Sequence, residues 1–276
     1  MKLLRLIFFS SFILLSILAK AQEISHDHSI FHAFIENKGQ WNDRVLFKSK
    51  FDGGNLWVQQ NKFVFHLMDH SSVKELHGNP KDNNLIPSIP QTVVHLNFEG
   101  SSEVTQIEKR EKTQAYYNYF IGNDQNKWAS VVHGYGEASL KDLYPGIDLE
   151  LIEENGSLKY EFHVLPGADP ELIKLNYSGH EKLEIDKNGD LIVHTSLGKI
   201  IEKKPYVYQI INGRTKEITC SFKIINNSVV FDLKEYNKNA VLVIDPVLVF
   251  ATYSGSITDN FGMTATYGYD GTAYSG

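Results

Sequence analysis

A single cysteine, Cys220, leaves this 276-residue chain without a partner for an internal disulfide. Stability therefore has to come from apolar burial, and a small cross-linked scaffold is excluded. Alternation in "EITCSFKI" sets Cys220 on the same face as Ile218 and Phe222, which predicts a buried, inert thiol. Basic residues are also scarce. Lys2, Arg5 and Lys20 fall in the leader described below, and without them 24 of the 27 Lys and Arg remain against 33 Asp and Glu, a net charge of about −9 with His neutral. Nucleic-acid backbones are bound by basic stripes, so this balance argues against nucleic acid as a partner. The densest charged stretch, "EKREK" (Glu108–Lys112), is mixed in sign and reads as a solvated strand end.

Apolar runs long enough to cross a bilayer are missing too. The longest, "LIFFSSFILLSIL", falls short of the ~20 residues a spanning helix needs. Lys2 and Arg5 precede it and the small-residue "AKA" at Ala19–Ala21 follows, the three-part pattern of a secretory signal peptide. The expectation is a leader over 1–21, a mature chain starting at Gln22 with no membrane span, and an extracellular or cell-surface location. No Cys follows the apolar run to accept a lipid.

Helical periodicity is lacking as well, since no window of a dozen residues carries a clean stripe at 3.6. What the chain has in its place is period two, the strand period, almost everywhere after residue 30. "LWVQQNKFVFHL" reads as strand, turn, strand, with Phe63, Phe65 and Leu67 on one face. "TVVHLNF" sets Val94, Leu96 and Phe98 against Val93, His95 and Asn97. Asn155-Gly156, Asn188-Gly189 and Asn212-Gly213, each between alternating apolar runs, are hairpin turns. "ADPEL" offers one helical turn, with Asp169 as N-cap and Pro170 at the first position. The fold class expected is all-β: a β-sandwich-like domain over 31–246, as one unit or two subdomains. A polar loop with prolines at 80, 87 and 90 interrupts it at His70–Gln91, and a mobile mature N-terminus at 22–30 precedes it. "AVLVIDPVLVFATYSG" reads as a closing strand, a break at Asp245-Pro246, and a new beginning at Val247.

Side chains that could carry chemistry each have a plainer reading. His26, His28 and His32 form a His-rich tract, but no Cys or carboxylate completes a ligand set around them. His66 and His70 are spaced for a helix in a region of strand period. Asp186, Asn188 and Asp190 open like a calcium loop, yet the distal Glu is absent and the "NG" hairpin explains the same residues. Asp52-Gly53-Gly54-Asn55 is a turn. Asp148, Glu150 and Glu161 sit on facing strands and could supply a glycosidase pair, although exposed acids alternating with buried Ile147, Leu149 and Leu151 are the ordinary half-buried strand pattern. Trp41, Trp57 and Trp128 could stack on sugar rings, with core burial the commoner fate of such residues. There is no GxSxG, HExxH or P-loop pattern. No catalytic residue, metal site or cofactor is assigned, and the ligand is unknown.

Two resemblances organise the rest. "TYSGSITDNFGMTATYGYDGTAYSG" resembles the SBBP-type β-propeller repeat, with Tyr253, Gly255, Asp259, Gly262, Asp270, Gly271, Tyr274 and Gly276 at its marked positions. Residues 247–276 are thus expected to be the start of a first, incomplete propeller blade, with further repeats beyond it. "ENKGQW", "YYNYFIGNDQNKW", "YGEASLKDLYPGIDLEL", "LKYEFHVLPGADP", "KPYVYQ" and "LVIDPVLVF" resemble, in order, the uncharacterised domain that precedes such repeats in bacterial secreted proteins. The resemblance implies a secreted or surface protein, often a type IX secretion substrate, and brings no catalytic residues. The function expected is a non-catalytic structural or adhesive module with a protein or glycan ligand at the cell surface. The alternative is an extracellular carbohydrate-active or carbohydrate-binding protein.

Overall fold

The computed structural model describes residues 33–51, 53–69, 89–104, 106–154 and 157–252, with the backbone of 265–267 and 273–275. The leader, the mature N-terminus with its three histidines, most of the His70–Gln91 loop, the Asn155-Gly156 turn and most of the C-terminal repeat lie outside these residues. Strand follows strand: β1 (Phe34–Glu36), β2 (Val45–Phe51), β3 (Gly54–Gln59), β4 (Lys62–Met68), β5 (Gln91–Phe98), β6 (Ile107–Tyr119), β7 (Ala129–Tyr144), β8 (Ile147–Glu154), β9 (Ser157–Val164) and β10 (Leu175–Ser178). Then come β11 (Lys182–Ile185), β12 (Leu191–Thr195), β13 (Gly198–Glu202), β14 (Tyr206–Ile211), β15 (Arg214–Glu217), β16 (Cys220–Ile225), β17 (Ser228–Leu233), β18 (Leu242–Asp245) and β19 (Leu248–Thr252), with β20 (Ala265–Tyr267) and β21 (Ala273–Ser275) pairing near the end. The protein is all-β. Among the described residues the helical pieces are single 3-10 turns, at Gln125–Lys127 and at Pro170–Leu172. In the latter the Asp169 side chain accepts from Glu171 N–H at 3.0 Å, with Pro170 at the first position, the cap read from the sequence.

One antiparallel sheet runs in the order β15-β14-β18-β9-β8-β7-β1-β2-β3-β4-β5-β10-β17-β16, with β6 paired to β7 off that path. Laid flat, β9 and β4 would be six strand spacings apart, roughly 29 Å. Yet the Phe63 ring on β4 meets the Tyr160 ring on β9 at 5.4 Å, and Phe162 on β9 meets Phe98 on β5 and Phe231 on β17, each at 6.0 Å. The sheet has therefore folded over into two facing layers. Edge-to-face aromatic contacts fill the space between them, as ring quadrupoles favour. The fold line is β7. Its Gly134 and Tyr135 pair with β1, whose neighbours build one layer, while Glu137–Leu140 pair with β8, which builds the other. Gly134 is needed there, because a Cβ would sit 2.8 Å from the Ala33 methyl.

Period two holds along β2, β4 and β5. Phe63, Phe65 and Leu67 point inward from β4, and Val94, Leu96 and Phe98 from β5. Cys220 is buried beside Ile218 and Phe222, and burial pushes its thiol up to about 12, which keeps it inert. A second sheet, β11-β12-β13-β19, adds Leu191, Val193, Ile200 and Leu248 to the same core. β19 pairs with β13 from Glu202↔Leu248 to Gly198↔Thr252. Part of the stretch expected to open the propeller repeat is thus paired with the preceding strands.

Candidate functional site

The "ENKGQW" stretch that joins β1 to β2 is a loop built by its own amides. The Asn37 side-chain oxygen accepts from Gly39 N–H at 3.0 Å and Trp41 N–H at 3.2 Å, while its NH2 donates to the carbonyls of Asn42 and Val45, each at 2.9 Å. Gln40 donates to Glu36 O at 2.7 Å and accepts from Lys38 N–H at 2.7 Å. Gly39 takes φ +102°, where a side chain would be strained. Asn37, Gly39 and Gln40 each have a backbone task, and the bond from Trp41 N–H to Asn37 anchors Trp41 to the loop.

Trp41 is gripped from several sides. Trp57 on β3 and Tyr119 on β6 meet it edge to face, at 5.5 and 5.4 Å, and the Lys48 ammonium lies 4.7 Å over Trp57 and 5.9 Å over Trp41. Burial lowers the Lys48 pKa, with Lys50 adding repulsion. A small satellite core of Ala33, Ile35, Ala129 and Val132 supports Trp41, Tyr117 and Tyr119 from beneath. None of the three tryptophans joins the main core, which corrects the expectation of core burial. Trp41 and Trp57 are half-buried. Trp128 is exposed, its ring against Phe120 at 5.5 Å and its N–H donating to Gly122 O at 3.1 Å.

Between this loop and β6 opens a cleft of about 830 Å³. Glu36, Asn37, Trp41 and Asp43 line one side, and Ile107, Lys109 and Lys127 complete the wall. Lys109 donates to Glu36 at 2.7 Å, and Lys38 stands 3.3 Å away. Burial disfavours the Glu36 carboxylate, but Lys109, the His133 N–H and Lys38 outweigh it and hold the pKa below the ordinary value. Lys38 also reaches across to donate to Val131 O at 2.8 Å. Val131 has φ +54°, an outlier for a β-branched residue, and is held there from its other side by Asn118, which accepts its N–H at 2.9 Å. Strained backbone of this kind persists where surrounding contacts over-determine it, and it clusters at functional sites.

Asp148, Glu150 and Glu161 do share a face, as alternation requires, but it is the outer face of their layer. There Ser139, Glu150 and Glu161 stand in register across β7, β8 and β9, and Lys159 links Glu161 to Asp245 of β18. They are not exposed, contrary to expectation: each of the three acids is under one-tenth accessible. Long cationic side chains lie over them. Arg110 donates to Glu150 at 2.7 Å and to Glu137 at 2.7 Å, Lys141 to Asp148 at 2.9 Å, and Lys159 stands 2.8 Å from Glu161 and 3.0 Å from Asp245. The aliphatic stems shield the row while the charges neutralise it. Burial raises Glu161, and His163 and Lys159 overcome that to lower its pKa.

Asp186, Asn188 and Asp190 form the expected hairpin turn. Asp186 accepts from the N–H of Asn188 at 2.8 Å and of Asp190 at 3.0 Å, and Asp190 is engaged by Lys203 at 2.8 Å and Lys204 N–H at 2.9 Å. Among the described residues no three His, Cys, Asp or Glu side chains gather as a metal site. His66 bonds Gln91 at 2.6 Å on the outward side of β4; His70 lies outside the described residues.

Sequence reasoning missed two groups. The cleft acids and lysines come from β1, the β1–β2 loop, β6 and the β6–β7 turn, and only the Asn-x-Gly spacing of "ENKGQW" hinted at a built loop. Glu202 is fully buried, with the Tyr160 hydroxyl donating at 2.9 Å and the Tyr177 hydroxyl donating to its other oxygen. Its signal was available: in "GKIIE" it is in phase with Ile200, on the buried face.

A family model described as a domain of unknown function, DUF7948, matches residues 34–247, from the first residue of β1 to just before β19. The chain belongs to this family. No curated protein and no solved structure gives a match. The DUF7948 domain therefore comprises the two facing layers and three strands of the second sheet, with β19 immediately after its matched stretch.

Proposed function

We propose that this DUF7948 domain is a non-catalytic recognition module of an exported surface protein, standing before β-propeller repeats. The observation that carries the reading is the cleft beside Trp41, whose loop wall is fixed by hydrogen bonds within the loop, so that this wall needs little ordering on binding. The acids that might have made an enzyme are otherwise engaged. A glycosidase needs one carboxyl protonated to act as acid and a second across the sugar ring. Glu161 is instead held ionised by His163 and Lys159, and Glu150 stands beside it on the adjacent strand beneath Arg110. Export rests on the pattern of Lys2, Arg5, the apolar run and "AKA", and the repeats on the spacing of Tyr253 to Gly276.

One preparation tests both halves. Protein recovered from the surface or medium of native cells should begin at Gln22 by mass spectrometry. It should bind saturably to isolated cell-surface material while releasing no reducing ends from a polysaccharide panel. An intact Met1 on exported protein, or hydrolysis abolished by Glu150→Gln, overturns the reading.

A further inference from the structure

We propose that the cleft between the Glu36–Asp43 loop and β6 binds a neutral, hydroxyl-rich chain, an oligosaccharide, with Trp41 as its apolar stacking face. The inference deepens the recognition reading above and rests on it. Its first support is charge. The lining holds two carboxylates, Glu36 and Asp43, and two ammonium groups, Lys109 and Lys127. Glu36 and Lys109 neutralise one another at 2.7 Å. An anionic or cationic ligand would meet a balanced wall and leave its own charge uncompensated. A neutral ligand brings no charge to compensate there, and its hydroxyls, each both donor and acceptor, can use groups of either kind.

The second support is shape and chemistry. About 830 Å³ is room for several sugar rings, in the range of pockets that enclose small molecules. Asn42 and Asp43 are exposed at the rim and Lys127 faces them from the other wall, which provides acceptors and donors on both sides. An indole is a large rigid surface with little side-chain entropy to lose. Trp41 is already positioned by Trp57, Tyr119 and the Asn37 amide, so its ring is held in one place before a ligand arrives. The third support is the clamp from Lys38 to the strained Val131, which ties the loop to the β6–β7 hairpin.

The experiment titrates the mature chain with neutral hexasaccharides (β-1,4-glucan, β-1,3-glucan, xylan, mannan and α-1,4-glucan) and with hexagalacturonate as the charged comparator. Calorimetry and tryptophan fluorescence are the readouts. At least one neutral hexasaccharide should bind with a Kd below 1 mM, as an order of magnitude for a single stacked site, and at least tenfold more tightly than hexagalacturonate. Trp41→Ala should weaken it at least tenfold. Tyr206→Ala removes an exposed ring on β14, five strands away in the sheet order, and should leave binding unchanged. Because Trp41→Ala also loosens the loop, Asp43→Ala at the exposed rim serves as the second variant and should cost threefold or more with an unaltered thermal midpoint. Saturable binding to cell-surface material that both variants retain would overturn the cleft assignment and leave the recognition reading standing. Preference for hexagalacturonate, or no binding to any neutral chain, overturns the inference as well.

Discussion

Among the described residues Glu202 has two tyrosine hydroxyls for partners and no cation. Burial raises its pKa to about 7, against the opposing effect of the Tyr177 and Tyr160 hydrogen bonds. The same carboxyl pushes both tyrosines further above their ordinary range, beyond what burial does alone. The sign of the linkage follows. The folded state keeps a proton on Glu202 that the unfolded chain releases near 4.5, so stability declines as pH rises from about 4.5 to about 7 and then levels off. Glu36, Glu161 and Asp190 act in the opposite sense and below that window: their pKa values are lowered, so their contribution disappears as pH falls under the ordinary carboxylate value. Urea midpoints of wild type and Glu202→Gln, measured at pH 4.5, 6 and 7.5, separate the two. Wild type should lose about 3 kcal/mol across the upper window at 1.36 kcal/mol per unit. The variant, which cannot ionise, should lose much less. Parallel curves would mean that Glu202 does not carry the pH dependence.

At the scale of the element, turns and edges decide most of what happens. Asn212 and Gly213 both have positive φ, the turn that "NG" predicts between β14 and β15. Asn226 and Asn227 do the same between β16 and β17 with no glycine at all, a hairpin that a search for "NG" passes over. The long β6 is irregular against β7 between Lys112 and Tyr116 and again near Tyr119, and its charged start is drawn into the ion pairs of the outer face. β19 is the element with the clearest consequence. Trimming the chain after Pro246 strips β13 of a five-residue ladder and removes buried Leu248 from the core. The thermal midpoint should fall by roughly 5–10 °C, the scale of losing one buried leucine and an edge strand from a domain of this size. An unchanged midpoint for the shortened chain, in side-by-side calorimetry, would show that β19 contributes nothing to the fold it pairs with.

At the scale of the whole molecule, the sequence left open whether 31–246 is one unit or two. The second sheet might have been a separate domain, but its apolar face has no core of its own. Leu191, Val193, Ile200 and Leu248 pack into the cluster that Phe63, Tyr160 and Phe162 begin. Glu202 of β13 is bonded to Tyr160 of β9 and Tyr177 of β10, which ties the sheet to both layers at once. The described domain should therefore unfold as one cooperative unit. Calorimetric and van't Hoff enthalpies that agree, with a single transition, are the expected result. Two resolved transitions would separate the second sheet from the rest.

By itself the sequence determined the fold class, the inward faces of β4, β5, β8 and β16, the inert cysteine and the turns at Asn188-Gly189 and Asn212-Gly213, because each depends on the chain's local period or on a backbone torsion that two residues set. It also set the loop at Asn37–Trp41, where the bonds of the Asn37 and Gln40 amides all run within about eight residues. Only the tertiary structure decided what those faces meet. No local pattern says that a sheet folds at β7 so that β4 touches β9, since that depends on twist and on contacts nearly a hundred residues apart. The acids of β8 and β9 looked exposed because alternation tells which face a residue is on, not which long side chains of β6, β7 and β9 will cover it. The cleft belongs to the same class: Glu36 and Lys109 are 73 positions apart in the chain and 2.7 Å apart in space, and charge pairing at that range is set by the fold alone.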